Sequence, residues 1–178
     1  MHGHEKQTRH GVKSARRRLA LTGGCLVLAI TAQASHAQVR TIAMEGDAAP
    51  DTSFTFSGFE GAPVLNDNGE VAFIAAVDDF NTTGVWSEGD GIGLLRNVAL
   101  TGDTAPDTGG AIFLGLINVH LNALGDVFIK AELDDSRFGL WSDRERPSTD
   151  LTKIVVDDDP APGTNSREFR FGPVFNGP

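Results

Sequence analysis

Gly46-Asp47-Ala48-Ala49-Pro50-Asp51-Thr52 returns 56 residues later as Gly102-Asp103-Thr104-Ala105-Pro106-Asp107-Thr108, and more loosely as Asp158-Asp159-Pro160-Ala161-Pro162-Gly163-Thr164. Self-similarity at a fixed period is the mark of a repeat architecture. Outward from this stretch the same offset aligns Leu65-Asn66 with Leu121-Asn122, Gly69 with Gly125, Val71 with Val127, Ala75 with Ala131 and Asp78-Asp79 with Asp134-Asp135. Read without gaps, residues 46–79 and 102–135 agree at 13 of 34 positions. One deletion later, Gly84-Val85-Trp86-Ser87 meets Gly139-Leu140-Trp141-Ser142. The chain therefore divides into a leading segment (residues 38–45), repeat 1 (46–101), repeat 2 (102–157) and a partial repeat 3 (158–178).

Within each unit the apolar runs are short and separated by Gly, Asn and Asp, which predicts strands joined by turns rather than helices. Four strands are expected per unit. The first covers Ala62 to Asn66, matched by Asn118 to Asn122, and Asp67-Asn68-Gly69 turns the chain because Asn and Gly tolerate positive φ. The second runs from Glu70 to Val77, apolar on both faces, and its copy from Val127 alternates apolar with polar. The third carries Gly84-Val85-Trp86 or Gly139-Leu140-Trp141, and the fourth runs from Leu94 to Leu100 or Leu151 to Val156. Phe54 and Phe56, like Phe169 and Phe171, alternate with polar residues and predict a further short edge strand in the connection.

An all-β chain of tandem four-stranded antiparallel units follows. Propeller-like blades of about 40 to 50 residues are the preferred arrangement; a β-solenoid is the alternative, although its coils usually repeat in about 20 to 30. Two and a fraction units are too few to close a propeller, so the chain is expected to be a piece of a longer protein or to complete itself by association.

Asn66-Asp67-Asn68-Gly69-Glu70-Val71-Ala72-Phe73 carries Asn66, Gly69, Ala72 and Phe73 at the spacing of an Asn-x-x-Gly-x-x-Ala-Phe signature. In this it resembles the bacterial NxxGxxAF tandem-repeat (choice-of-anchor) family. The second copy keeps Asn122 and Gly125 but has Phe128-Ile129 for the final pair, and the third retains Asn176. The resemblance implies an exported, often surface-anchored bacterial repeat protein and supplies no catalytic residue.

Residues 1–37 read as a signal peptide: basic residues ending in Arg16-Arg17-Arg18, an apolar run from Leu19 to Ile30, then Ser35-His36-Ala37, with cleavage expected between Ala37 and Gln38. Export to the periplasm, cell surface or exterior is expected, by the general or the twin-arginine route. Of 15 Lys+Arg and 24 Asp+Glu, residues 38–178 retain 9 and 23, a net charge of −14. That balance excludes nucleic acid and anionic membrane surfaces as partners, since both demand clustered cations. Cys25 is the single cysteine and falls in the leader, so disulfides, thiolate zinc sites and cysteine nucleophiles are excluded from the remainder.

Candidate sites are few. Asp78-Asp79 and Asp134-Asp135 are paired carboxylates of the kind that ligate Ca²⁺, without the spacing of an EF-hand. Asn66 and Asn122 are read as closing their turns, and Trp86 and Trp141 as packing between sheets rather than binding sugar. His120 has neither a nucleophile elbow nor a second histidine near it in sequence. No catalysis is expected. The reading is a structural, adhesive or protein-interaction role with a surface polymer or protein, with self-association through unpaired repeat faces. A Ca²⁺-assisted carbohydrate-binding module and a fragment of a propeller hydrolase are the alternatives.

Overall fold

A computed structural model describes residues 39–144, 150–164 and 167–171. The expected cleavage site at Ala37 and Gln38, and Asn176 of the third copy, lie outside the described residues. Among the described residues eight strands form two sheets. β1 (Phe56–Leu65), β2 (Val71–Val77), β3 (Thr82–Ser87) and β4 (Arg96–Leu100) make the first, and β5 (Phe113–Leu121), β6 (Val127–Leu133), β7 (Phe138–Ser142) and β8 (Thr152–Val156) the second. Each is an antiparallel meander with its strands in chain order, and none of the described residues is helical.

The packing follows from the alternation of side chains across a strand. In β2, Ala72 and Ile74 join Val85 and Ala99 on one face, and β5 of the second sheet packs across them with Leu116 and Val119, next to Ile129 and Trp141. The other face of β2 carries Phe73, Ala75 and Val77, clustered with Phe56 and Trp86. β2 is accordingly buried along nearly its whole length, whereas β6 alternates buried and half-buried positions. Burying each large side chain of this kind contributes about 1.5–3 kcal/mol.

Each unit is built around its tryptophan. Trp86 and Trp141 are fully buried, their indole N–H groups donating to the carbonyls of Pro50 at 3.2 Å and Pro106 at 3.3 Å. Phe56 meets Trp86 edge-on at 4.9 Å between ring centroids, and Phe113 meets Trp141 at 5.0 Å. The indole folds back over the glycine two residues earlier, so a Cβ at Gly84 or Gly139 would sit 2.5 Å from a ring carbon.

The recurring loop holds one hydrogen-bond pattern three times. The N–H groups of Gly46, Gly102 and Asp158 donate to the carbonyls of Phe56, Phe113 and Phe169. The carboxylates of Asp47, Asp103 and Asp159 accept from the N–H groups of Met44, Leu100 and Val156, at 2.8, 2.9 and 2.8 Å. Bridges Ala48–Thr55, Thr104–Ile112 and Pro160–Glu168 close the loops.

Two expectations are corrected. The first strand of each unit begins well before Ala62 or Asn118, at Phe56 and Phe113, and Phe56 opens this strand rather than a separate edge strand. The cause is a pair of compensating one-residue changes. Repeat 2 has one more residue between its loop glycine and its phenylalanine, where Gly109 and Gly110 take φ of +82° and +103°. β1 has ten residues to the nine of β5, taken up in a wider bulge between Glu60 and Val64. Bulges absorb such differences without disturbing the flanking register. Phe56 and Phe113, Gly58 and Gly115, and Phe59 and Leu116 are thus equivalent at an offset of 57, which an ungapped reading at 56 conceals.

Gly139→Ala is expected to destabilise the protein by about 1–3 kcal/mol, the usual effect of overpacking a filled interior, read as a lower urea midpoint with an unchanged slope.

Candidate functional site

At one end of the sheets, the β1–β2 and β5–β6 turns meet the segments following β3 and β7. The Asn66 carboxamide oxygen accepts from the N–H groups of Asn68 and Glu70, both at 3.0 Å, and its nitrogen donates to Glu70 Oε2 at 2.6 Å. Asn122 does the same with Leu124, Asp126 and the Asp126 carboxylate. The two turns also join: Asn66 Nδ2 donates to the Asn122 carbonyl and Asn68 Nδ2 to the Ala123 carbonyl, both at 2.9 Å. Gly125 completes the fit, with φ of +80° and no room for a Cβ beside the Gly89 carbonyl oxygen. Gly69 holds the equivalent place, and Ala72 and Phe73 are buried on opposite faces of β2.

Beside these turns lies a pattern that the sequence reading missed. An acid follows each Trp-Ser pair, and both acids, Glu88 and Asp143, are 1% exposed. The Glu88 carboxylate accepts from the Val71 N–H at 3.2 Å, and that of Asp143 from the Val127 N–H at 2.6 Å. Each is paired with an arginine lying one unit earlier in the chain. Arg40 grips Glu88 through both terminal nitrogens, Nη1 to Oε1 at 2.6 Å, and donates to the Gly69 carbonyl at 2.9 Å. Arg96 donates to Asp143 and, through Nε, to Asp90 at 2.6 Å. Arg40 and Arg96 are 56 residues apart, so the offset itself carried the signal.

Burial works against the charge on Glu88 more than any other influence. The Arg40 guanidinium and the N–H groups of Gly93 and Val71 together outweigh it and hold the carboxyl below the usual carboxylate range. Burial likewise opposes the charge on Arg96, and Asp143 with Asp90 reverses that, raising its pKa. These groups are ion-paired: Arg96 ties repeat 1 to repeat 2, and Arg40 ties the leading segment to repeat 1.

The paired aspartates occupy the opposite ends of their strands. Asp78 and Asp79 lie in the β2–β3 turn, where Asp78, Asp79 and Phe80 all take positive φ, of 52°, 51° and 69°. The Phe80 ring covers Gly58. Asp134 and Asp135 lie in the equivalent β6–β7 turn of the second sheet. Asp134 accepts from the Ile112 N–H at 3.1 Å, and Asp135 pairs with Arg137 at 2.6 Å. That bond to Arg137 is the chief cause holding the Asp135 carboxyl below its ordinary value. Among the described residues no group of three or more His, Cys, Asp or Glu is placed to hold a metal ion. His120 is exposed on β5, an edge strand opposite Phe128, and no described helix is long and apolar enough to cross a membrane.

A carboxylate whose pKa is depressed by folding contributes stability in full above its unfolded value, and that contribution is lost as pH falls through the folded one. Glu88→Gln should therefore lower the melting temperature at pH 7, and the difference from the parent should shrink in melts taken below about pH 4, the unfolded carboxylate range.

No curated protein and no solved structure matches the chain. A model of one family, a family of unknown function designated DUF7453, matches residues 25–177, a span that holds both sheets, the interlocked asparagine turns and the paired acids and arginines, and the chain belongs to that family.

Proposed function

We propose that this is an exported repeat scaffold of blade-like units, a structural, adhesive or protein-interaction module at the bacterial surface. One observation carries the reading: the recurring tryptophans, loop aspartates, turn asparagines and buried acids are engaged in holding the units and their junctions together. The tryptophan N–H groups are tied to loop carbonyls, the loop aspartates cap backbone N–H groups, the asparagines close and link the turns, and the buried acids are paired with arginines. Tandem four-stranded meanders, the second turning its tryptophan toward the first, support a propeller-like arrangement. The net charge of −14 over residues 38–178 favours partners that are neutral or basic. A surface polymer or protein fits that description. The resemblance to the NxxGxxAF repeats supports the same role.

Expression of the full chain in a bacterial host, followed by fractionation and N-terminal sequencing, is expected to recover it outside the cytoplasm beginning at Gln38. Its melting temperature should be the same in excess CaCl₂ and in EDTA. Retention in the cytoplasm with an intact leader would contradict export. A rise of several degrees with calcium would replace the scaffold by a calcium-assisted binding module, because a ligand of the native state raises its stability.

A further inference from the structure

The segment before the first repeat has a definite place in the repeat pattern. Met44 donates its N–H to Asp47 as Leu100 does to Asp103 and Val156 to Asp159. Arg40 grips Glu88 of the following unit as Arg96 grips Asp143. By these hydrogen bonds residues 40–44 stand ahead of repeat 1 where β4 (Arg96–Leu100) and β8 (Thr152–Val156) stand at the ends of repeats 1 and 2. In both complete sheets that strand pairs with a Gly-aliphatic-Trp-Ser strand, Ser87 opposite Arg96 and Ser142 opposite Thr152. Among the described residues no strand pairs with residues 40–43.

The face beneath that segment is incomplete in the same way. Trp141 looks into the interface between the two sheets, and Trp86 looks out from the first sheet toward Ile42 and Ala43. The outward face of the first sheet thus continues the pattern of the established interface, with Ile42 and Ala43 packed where residues of a fourth strand would lie. Among the described residues no further strand covers that face. Leu116, beneath the first sheet, is 7% exposed, and its equivalent Phe59 is 47% exposed. Phe59, Pro63, Val71 and Phe73 line an apolar groove of about 270 Å³ beside Ile42 and Ala43. At the sheet–sheet interface the corresponding space is filled by Ala72 and Ile74, side chains of an apolar second strand.

We propose that residues 40–44 and the outward face of the first sheet together form a docking site for the first three strands of another repeat unit. Its Gly-aliphatic-Trp-Ser strand pairs with residues 40–44, and its apolar second strand fills the groove over Phe59 and Phe73. Main-chain pairing supplies affinity and the buried side chains supply selectivity, as in other strand-addition interfaces. A second copy of this chain fits poorly. Gly84–Ser87 and Gly139–Ser142 are already paired with their own fourth strands, and the second sheet offers the half-buried Lys130 and Glu132 on the face away from the first. The proposal stands on packing and register alone, independent of where the protein resides.

The test supplies the missing strands within the full chain, by inserting a copy of residues 46–95 between Val39 and Arg40. The native chain is entered at the same point of the repeat, since residue 95 precedes Arg96 as the inserted copy would precede Arg40. The expected result is a cooperative melt at a temperature several degrees above the parent, with the amides of Ile42 and Ala43 at least tenfold slower in hydrogen exchange. Ala43→Pro in the extended chain should abolish both gains, and Phe59→Asp should remove the thermal gain. An insert that is digested away by protease while the remainder melts as the parent would overturn the proposal. So would protection of Ile42 and Ala43 in the unmodified chain, whether constant or rising with concentration, because the strand would then already have a partner in its own chain or in a second copy.

Discussion

The indole of Trp141 lies between the two sheets with its N–H on the Pro106 carbonyl and its ring edge-on to Phe113. That one placement fixes three things together. It pins the loop between β4 and β5 onto the second sheet, it sets where β5 starts, and it presents an apolar surface to Ala72, Ile74 and Val85 of the first. Glycine at 139 is the condition for it, since any side chain there would meet the ring. The same constellation at Pro50, Phe56, Gly84 and Trp86 makes the first sheet a second instance of one design.

Polar groups then determine how units follow one another. A buried carboxylate is costly unless charge-paired and hydrogen-bonded. Asp143 meets that demand with Arg96 from the fourth strand of the preceding unit, and Glu88 with Arg40 from the segment ahead of repeat 1. The buried acid of repeat 2 is thus compensated by repeat 1, and the asparagine turns add hydrogen bonds between the two units at the same end. Nearest-neighbour coupling of this kind is what allows repeat arrays to grow by addition.

Much of this was legible in the sequence, and the failures have physical causes. Turn chemistry is local, so Asn66, Gly69, Asn122 and Gly125 announced their strands, and the apolar second strand announced a sheet covered on both faces. The phenylalanines that open β1 and β5 were hidden, because a longer loop and a narrower bulge cancel and leave the flanking offset at 56. Glu88 and Asp143 were passed over because an acid after a strand resembles a solvated turn residue, and only the fold reveals that Arg40 and Arg96 reach them. The leading segment gave no strand signal of its own. Its assignment needed the hydrogen bonds of Met44, Leu100 and Val156 seen side by side.

The central claim is that the two sheets are one cooperative body held by the face they share. Native-state hydrogen exchange in increasing urea measures this directly, since amides of separate cooperative units open at separate free energies. The account predicts that the slowest amides of β2 and β6 converge on a single opening free energy with a common dependence on denaturant. Two distinct limits, with the β6 sheet opening while β2 stays closed, would contradict it.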